Sequence, residues 1–123
     1  MGGRGTFASG NPVPYSYRTV GEINGVKVLQ GLHGKHGLPE EAHSSSAYIS
    51  LYPDGTFHEM RFYDKDRYLT FEIAYHPEKN IDPSRRPVLH YHVYGRDFVR
   101  SDAVKLPKSL KKHFKKYFKG VKI

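Results

Sequence analysis

One stretch leaves little freedom of local structure: Pro87 to Gly95, P-V-L-H-Y-H-V-Y-G. Side chains on a strand point alternately to opposite faces. Leu89, Tyr91 and Val93 therefore share a face suited to a core, while Val88, His90, His92 and Tyr94 share the other. That second face sets two imidazoles beside a phenol. A strand with one apolar and one reactive face predicts a sheet covered on one side, with the chemistry on the other.

With 123 residues, 37% hydrophobic and 14% aromatic, the chain suffices for one modest core and falls short of two. Cysteine is absent, which excludes a disulfide framework, a zinc–thiolate site and a cysteine nucleophile. No apolar run approaches the roughly 20 residues of a membrane span, and Met1 to Gly10 lacks the apolar core of a secretory signal. The expectation is a cytoplasmic protein with no membrane partner.

Residues 1–14, M-G-G-R-G-T-F-A-S-G-N-P-V-P, have no apolar period and are expected to form a disordered arm. Residues 15–123 are expected to form a single α+β domain. Tyr15 to Ile23 and Val26 to Leu29 flank Asn24-Gly25, the dipeptide best suited to a type I′ hairpin turn. Gln30 to Ser46 is irregular, Gly-rich and carries His33 and His36, so it is expected as a loop. Ala47 to Leu51, Phe57 to Tyr63 and Tyr68 to Tyr75 alternate as strands, separated by turns at Pro53-Asp54-Gly55 and Asp64 to Arg67. Arg96 to Lys105 has no clear pattern. Leu106, Leu110, Phe114, Tyr117 and Phe118 recur at helical spacing, with Pro107 suited to a first turn and Gly120 to a stop. The predicted architecture is an antiparallel sheet of four to six strands with a C-terminal basic amphipathic helix packed on one face.

Register builds a candidate site. A two-residue loop at Asp54-Gly55 puts Ser50 opposite Glu59, Ile49 opposite Met60 and Tyr48 opposite Arg61. A four-residue loop at Asp64 to Arg67 puts Phe62 opposite Leu69, Arg61 opposite Thr70 and Glu59 opposite Glu72. An antiparallel fourth strand sets Glu72 beside His90 or His92. Glu59, Glu72, Arg61, His90, His92, Tyr48 and Tyr94 then share the non-core face. Opposed carboxylates repel, which calls for a cation or a shifted pKa.

The net charge of +8 equals the eight lysines at 105, 108, 111, 112, 115, 116, 119 and 122, so one end of the molecule is cationic and attracts polyanions. RNA cleavage without a metal or other cofactor needs a base for the 2′-hydroxyl, an acid for the leaving oxygen and a cation for the phosphate. Glu72 or Glu59 would be the base, His90 or His92 the acid and Arg61 the clamp. Tyr48 and Tyr94 would stack bases, while Lys108, Lys112 and Lys116 would hold the backbone. The expected partner is nucleic acid, RNA ahead of DNA, with a protein partner or antitoxin as a further candidate.

A sheet carrying Glu, Arg and His on one face with a helix on the other, over Tyr48 to Tyr94, resembles the microbial ribonuclease and toxin group that includes barnase, EndoU, colicin nucleases and RelE. The opening M-G-G-R-G also resembles the start of short prophage reading frames near capsid-morphogenesis genes. The resemblance implies RNA as substrate and Glu72, Arg61, His90 and His92 as catalytic groups. In barnase the helices come first; here the long helix follows the sheet.

Two other readings stay open. His90-x-His92 with Glu72 offers three ligands of the kind found in zinc and non-haem iron proteins, and His33 and His36 could add to them. Alternatively, the chain is a non-catalytic phage or host-interaction module that binds nucleic acid or protein through its lysines.

Overall fold

The computed structural model describes residues 17–31, 38, 39, 42 and 46–122. Seven strands form one sheet in chain order: β1 Tyr17–Ile23, β2 Val26–Gly31, β3 Ala47–Leu51, β4 Phe57–Tyr63, β5 Leu69–Pro77, β6 Pro87–Val93 and β7 Val104–Lys105. A short helix α1, Lys108–Phe114, and one 3₁₀ turn, Lys115–Tyr117, follow. The class is α+β, as expected. The sheet is larger than the four to six strands expected and is mixed, because β2 and β3 run parallel while every other pair is antiparallel. The arm expected at residues 1–14 lies outside the described residues.

Asn24 and Gly25 both adopt positive φ, 47° and 86°, and join β1 to β2 by a two-residue turn between Ile23 and Val26. Such a turn places both central residues in the left-handed region, where Asn and Gly are least strained. The parallel step has a larger consequence. Antiparallel neighbours can be joined by a tight turn, but parallel neighbours need a connection that crosses one face of the sheet. Leu38, Pro39 and Ala42 belong to that connection, and Leu38 and Ala42 pack into a cluster with Tyr17, Leu29, Tyr48, Tyr63, Leu69 and Tyr94. The crossover therefore covers the face on which the candidate site was expected to lie open.

Two bulges adjust the central register. Tyr52 N–H donates to Thr56 O across the three residues Pro53, Asp54 and Gly55, with Gly55 at φ 89°. A bulge against Leu51 then restores Ser50 opposite Glu59 and Tyr48 opposite Arg61, the register expected from a two-residue loop. It also turns Phe57, expected on the polar face, into the core beside Phe118 at 4.9 Å. At the next turn, Asp64 N–H donates to Tyr68 O and Arg67 takes φ 68°. The turn is one residue longer than expected, with Tyr63 facing Leu69, and the bulge beyond it adds a second residue, so the pairing moves by two: Phe62 faces Phe71, Arg61 faces Glu72 and Glu59 faces Ala74. Glu59 and Glu72 are thus diagonal neighbours, not directly opposed. The same bulge sends Leu69, expected with Phe71 and Ile73, to the other face.

The second cluster lies on the opposite face and contains Val28, Ile49, Phe57, Met60, Ile73, Leu89, Leu106 and Phe118, with Leu110, Phe114 and Tyr117 packed against it. Phe114 meets Phe62 at 5.4 Å. The helix is shorter than the 106–118 periodicity suggested. Pro107 is its N-cap, and Lys119 O accepts the Phe57 N–H at 2.8 Å, tying the chain end to β4. No helix among the described residues is long and apolar enough to cross a membrane.

Candidate functional site

Cross-strand pairing produces two parallel rows on the face under the crossover. One row runs Ser50, Glu59, Ala74, His90 and Lys105, and the next runs Tyr48, Arg61, Glu72 and His92. β5 therefore lies between the strands of Glu59 and His92, as face parity predicted, and Glu72 sits opposite His92. Ala74, flanked by Glu59 and His90, has the smallest side chain in either row.

The carboxylates differ sharply. Glu72 Oε2 lies 3.2 Å from Arg61 Nε, and Glu72 Oε1 accepts the Tyr94 hydroxyl at 2.9 Å. Glu59 Oε1 accepts the Leu38 N–H at 3.0 Å, and Arg61 Nη1 donates to Leu38 O. Burial together with the charge of Glu72 pushes the Glu59 carboxyl up to about 8. Burial acts in the same sense on Glu72 but is outweighed by the Arg61 guanidinium and by hydrogen bonds from Glu59, Tyr94 and Arg61, which hold it down at about 2. At neutral pH one proton is shared by the pair, resides on Glu59 and leaves Glu72 an anion. Tyr94 is held well above the usual phenol range by burial and by Glu72.

The imidazoles are equally constrained. His90 Nδ1 lies 2.9 Å from Val88 O, and His92 Nδ1 lies 2.8 Å from Ser101 O. A carbonyl only accepts, so both Nδ1 atoms donate and the opposite nitrogen, Nε2, is left with a free lone pair whenever the ring is neutral. His90 is 0% exposed and His92 2%, and burial, ahead of any neighbouring charge, depresses the His90 pKa. Among the described residues, the buried side-chain atoms with no hydrogen-bond partner are Ser50 Oγ, His90 Nε2 and His92 Nε2. All three belong to these two rows. Buried polar atoms are rarely left unpaired, because each costs roughly 1–3 kcal/mol.

Two further imidazoles extend the group. His76 packs edge-on against His90 at 4.6 Å, and His58 lies 6.2 Å from His76. Both are half-buried, so the histidine row runs from the surface at His58 and His76 to the sealed pair at His90 and His92. The strand expected over Tyr68 to Tyr75 stops one residue short of His76, although the parity of Glu72 and Ala74 continues to it; β5 reaches Pro77. His58 enters only because of the bulge at Phe57, which carries no sequence signal of its own.

Glu59, Arg61, Glu72, His90, His92, Tyr48 and Tyr94 do converge on one face, but as a buried network and not as an open surface. Tyr48 is 2% exposed, and the Tyr94 hydroxyl is committed to Glu72, so neither presents a free ring for stacking. Lys108, Lys112 and Lys116 lie on the helical layer, across the sheet from this network. His33 and His36 lie outside the described residues. Comparison with protein-family models, with curated proteins and with solved structures gives no match.

Proposed function

We propose that the protein is an endoribonuclease that works by general acid and base catalysis, without a metal ion, on the Glu59, Ala74 and His90 row. The observation that carries this reading is a proton-bearing carboxyl and a bare imidazole nitrogen on either side of an alanine. Paired groups driven to unlike protonation states are a recurrent signature of acid–base sites. Strands β4 and β6 are separated by β5, so the two backbones stand about 10 Å apart. Ala74 is 1% exposed, so a phosphodiester reaches the row only when the cover over it opens. The roles differ from those expected from sequence: Glu59 is the acid that protonates the leaving 5′-oxygen, and the His90 Nε2 lone pair, assisted by His92, takes the 2′-hydroxyl proton. Arg61, neutralised in part by Glu72, balances charge developing on phosphate. A substrate reaches the row from the half-exposed His58 and His76 side, since Leu38 and Pro39 cover the Glu59 and Arg61 side.

The test uses single-stranded RNA in EDTA with wild type, Glu59→Gln, His90→Ala and His92→Ala. Wild type is expected to yield 2′,3′-cyclic phosphate ends, and Glu59→Gln to lose on the order of 10²-fold or more in rate while circular dichroism stays unchanged. Absence of cleavage by wild type at every pH would refute the reading. Equal cleavage by all four proteins would show a contaminant and refute it too.

One observation favours a second reading. Lys108, Lys112 and Lys116 lie across the sheet from the acid–base network, so a polyanion held on the helix does not pass over Ala74. A binding module without turnover needs only the lysine layer. It would show salt-dependent RNA affinity that survives Glu59→Gln.

A further inference from the structure

We propose that His90 and His92 form a two-imidazole binding site for a borderline transition-metal cation, with Zn²⁺ as the type ion. Neutral imidazole nitrogen is a preferred ligand of Zn²⁺, Cu²⁺ and Ni²⁺, and a ligating histidine usually donates its other N–H to a carbonyl or carboxylate that fixes ring and tautomer. Both rings here have that second contact: His90 with Val88 O and His92 with Ser101 O. Both remaining nitrogens are buried and without a hydrogen-bond partner among the described residues.

The spacing also fits. Residues two apart on a strand point the same way. On one tetrahedral ion with metal–nitrogen bonds of about 2.1 Å, two imidazole rings have centres about 5 Å apart. The rings of His90 and His92 have centres 5.2 Å apart at 88°. No group of three or more His, Cys, Asp or Glu among the described residues is arranged to hold a metal. The ion would therefore have two ligands from this pair and exchangeable ligands at its other positions. Glu72, opposite His92, supplies nearby negative charge without leaving Arg61. The half-buried His76 and His58 give an imidazole-lined approach to the pair. The ion and the proposed RNA cleavage use the same His90 Nε2 lone pair, so a bound ion blocks the base, and cleavage is therefore assayed on metal-free protein.

The experiment is titration of metal-free full-length protein with Zn²⁺ by calorimetry and with Co²⁺ by visible spectroscopy. Wild type is expected to bind one ion, to develop Co²⁺ ligand-field bands and to gain thermal stability at saturating Zn²⁺. His92→Ala and His90→Gln should each lose at least tenfold in affinity, and circular dichroism of the metal-free variants shows that they fold. If either variant unfolds, imidazole ¹⁵N NMR of wild type replaces it: Zn²⁺ should shift the Nε2 resonances of His90 and His92 and leave those of His113 in place. No binding by wild type at millimolar ion, affinity unchanged in both folded variants, or Nε2 resonances of the pair unaltered by Zn²⁺ would overturn the proposal. Zn²⁺ binding with no RNA turnover would leave this site standing and remove only the catalytic reading.

Discussion

Replacing Glu59 by Gln should flatten the loss of stability that wild type suffers between neutral and mildly alkaline pH. In the fold the Glu59 carboxyl is raised from 4.5 to about 8 by burial and by Glu72. Between those values the folded chain holds a proton that the unfolded chain releases, so stability falls as pH rises. Each pH unit in that interval costs about 1.4 kcal/mol, and the slope fades near the folded pKa. His58 and His90 are both lowered from 6.5, so each adds up to about 0.4 kcal/mol as its unfolded form loses its remaining charge between pH 6.5 and about 7.5, equally in wild type and variant. Glu72, lowered from 4.5 to about 2, adds stability as pH rises to 4.5 and is constant beyond it. From pH 6.5 to about 8.5 the Glu59 proton alone removes about 2 kcal/mol. That corresponds to roughly 8 °C in Tm for a chain of this size. Gln keeps an acceptor for Leu38 N–H and a donor toward Glu72 but cannot ionise. Urea unfolding of both proteins at fixed ionic strength across that interval measures the difference, with groups common to both cancelling. A wild type as flat as Glu59→Gln, or a variant as steep as wild type, would refute the shared-proton description of the pair.

Arg61→Ala should cost about 3–5 kcal/mol in urea unfolding, because it strands the Glu72 anion in a buried site; adding Glu72→Gln should recover part of that loss. Phe118→Ala, which opens the contact with Phe57 at 4.9 Å, should cost about 3–5 kcal/mol at unchanged far-ultraviolet circular dichroism. Lys112→Glu with Lys116→Glu should weaken RNA affinity and flatten its dependence on salt, by a slope of about 0.7 for each single-strand phosphate no longer neutralised. Affinity unchanged by both substitutions would remove the helix as the polyanion surface.

Much of the polar face could be seen in the sequence because strand alternation is local. His90 and His92 share a face in any strand from Pro87 to Val93, whatever lies next to it, and Asn24-Gly25 specifies its turn by backbone sterics alone. The pairing between β4 and β5 differs by two residues from the one the turn length implies, and the hydrophobic pattern has no means of detecting such a shift. A slip of one residue would put the charges among Met60, Phe62 and Phe71, whereas a slip of two returns residues 59–62 and 71–74 to their own faces. The consequence is chemical: Glu72 faces Arg61 in place of Glu59, and the carboxylates acquire unlike protonation states.

By itself the sequence determined which residues can share a face, where the chain turns, and that a lysine-rich amphipathic segment closes the fold. Each depends on the geometry of a few consecutive residues. Only the tertiary structure decided that β2 runs parallel to β3, and with it that Leu38, Pro39 and Ala42 cover the polar face. It also decided that two bulges set the central register, and that the helix lysines Lys108, Lys112 and Lys116 lie across the sheet from the acid–base network. These outcomes come from pairing and burial between residues distant in the chain. Such free energies depend on which surfaces meet, and no periodicity within one strand encodes that.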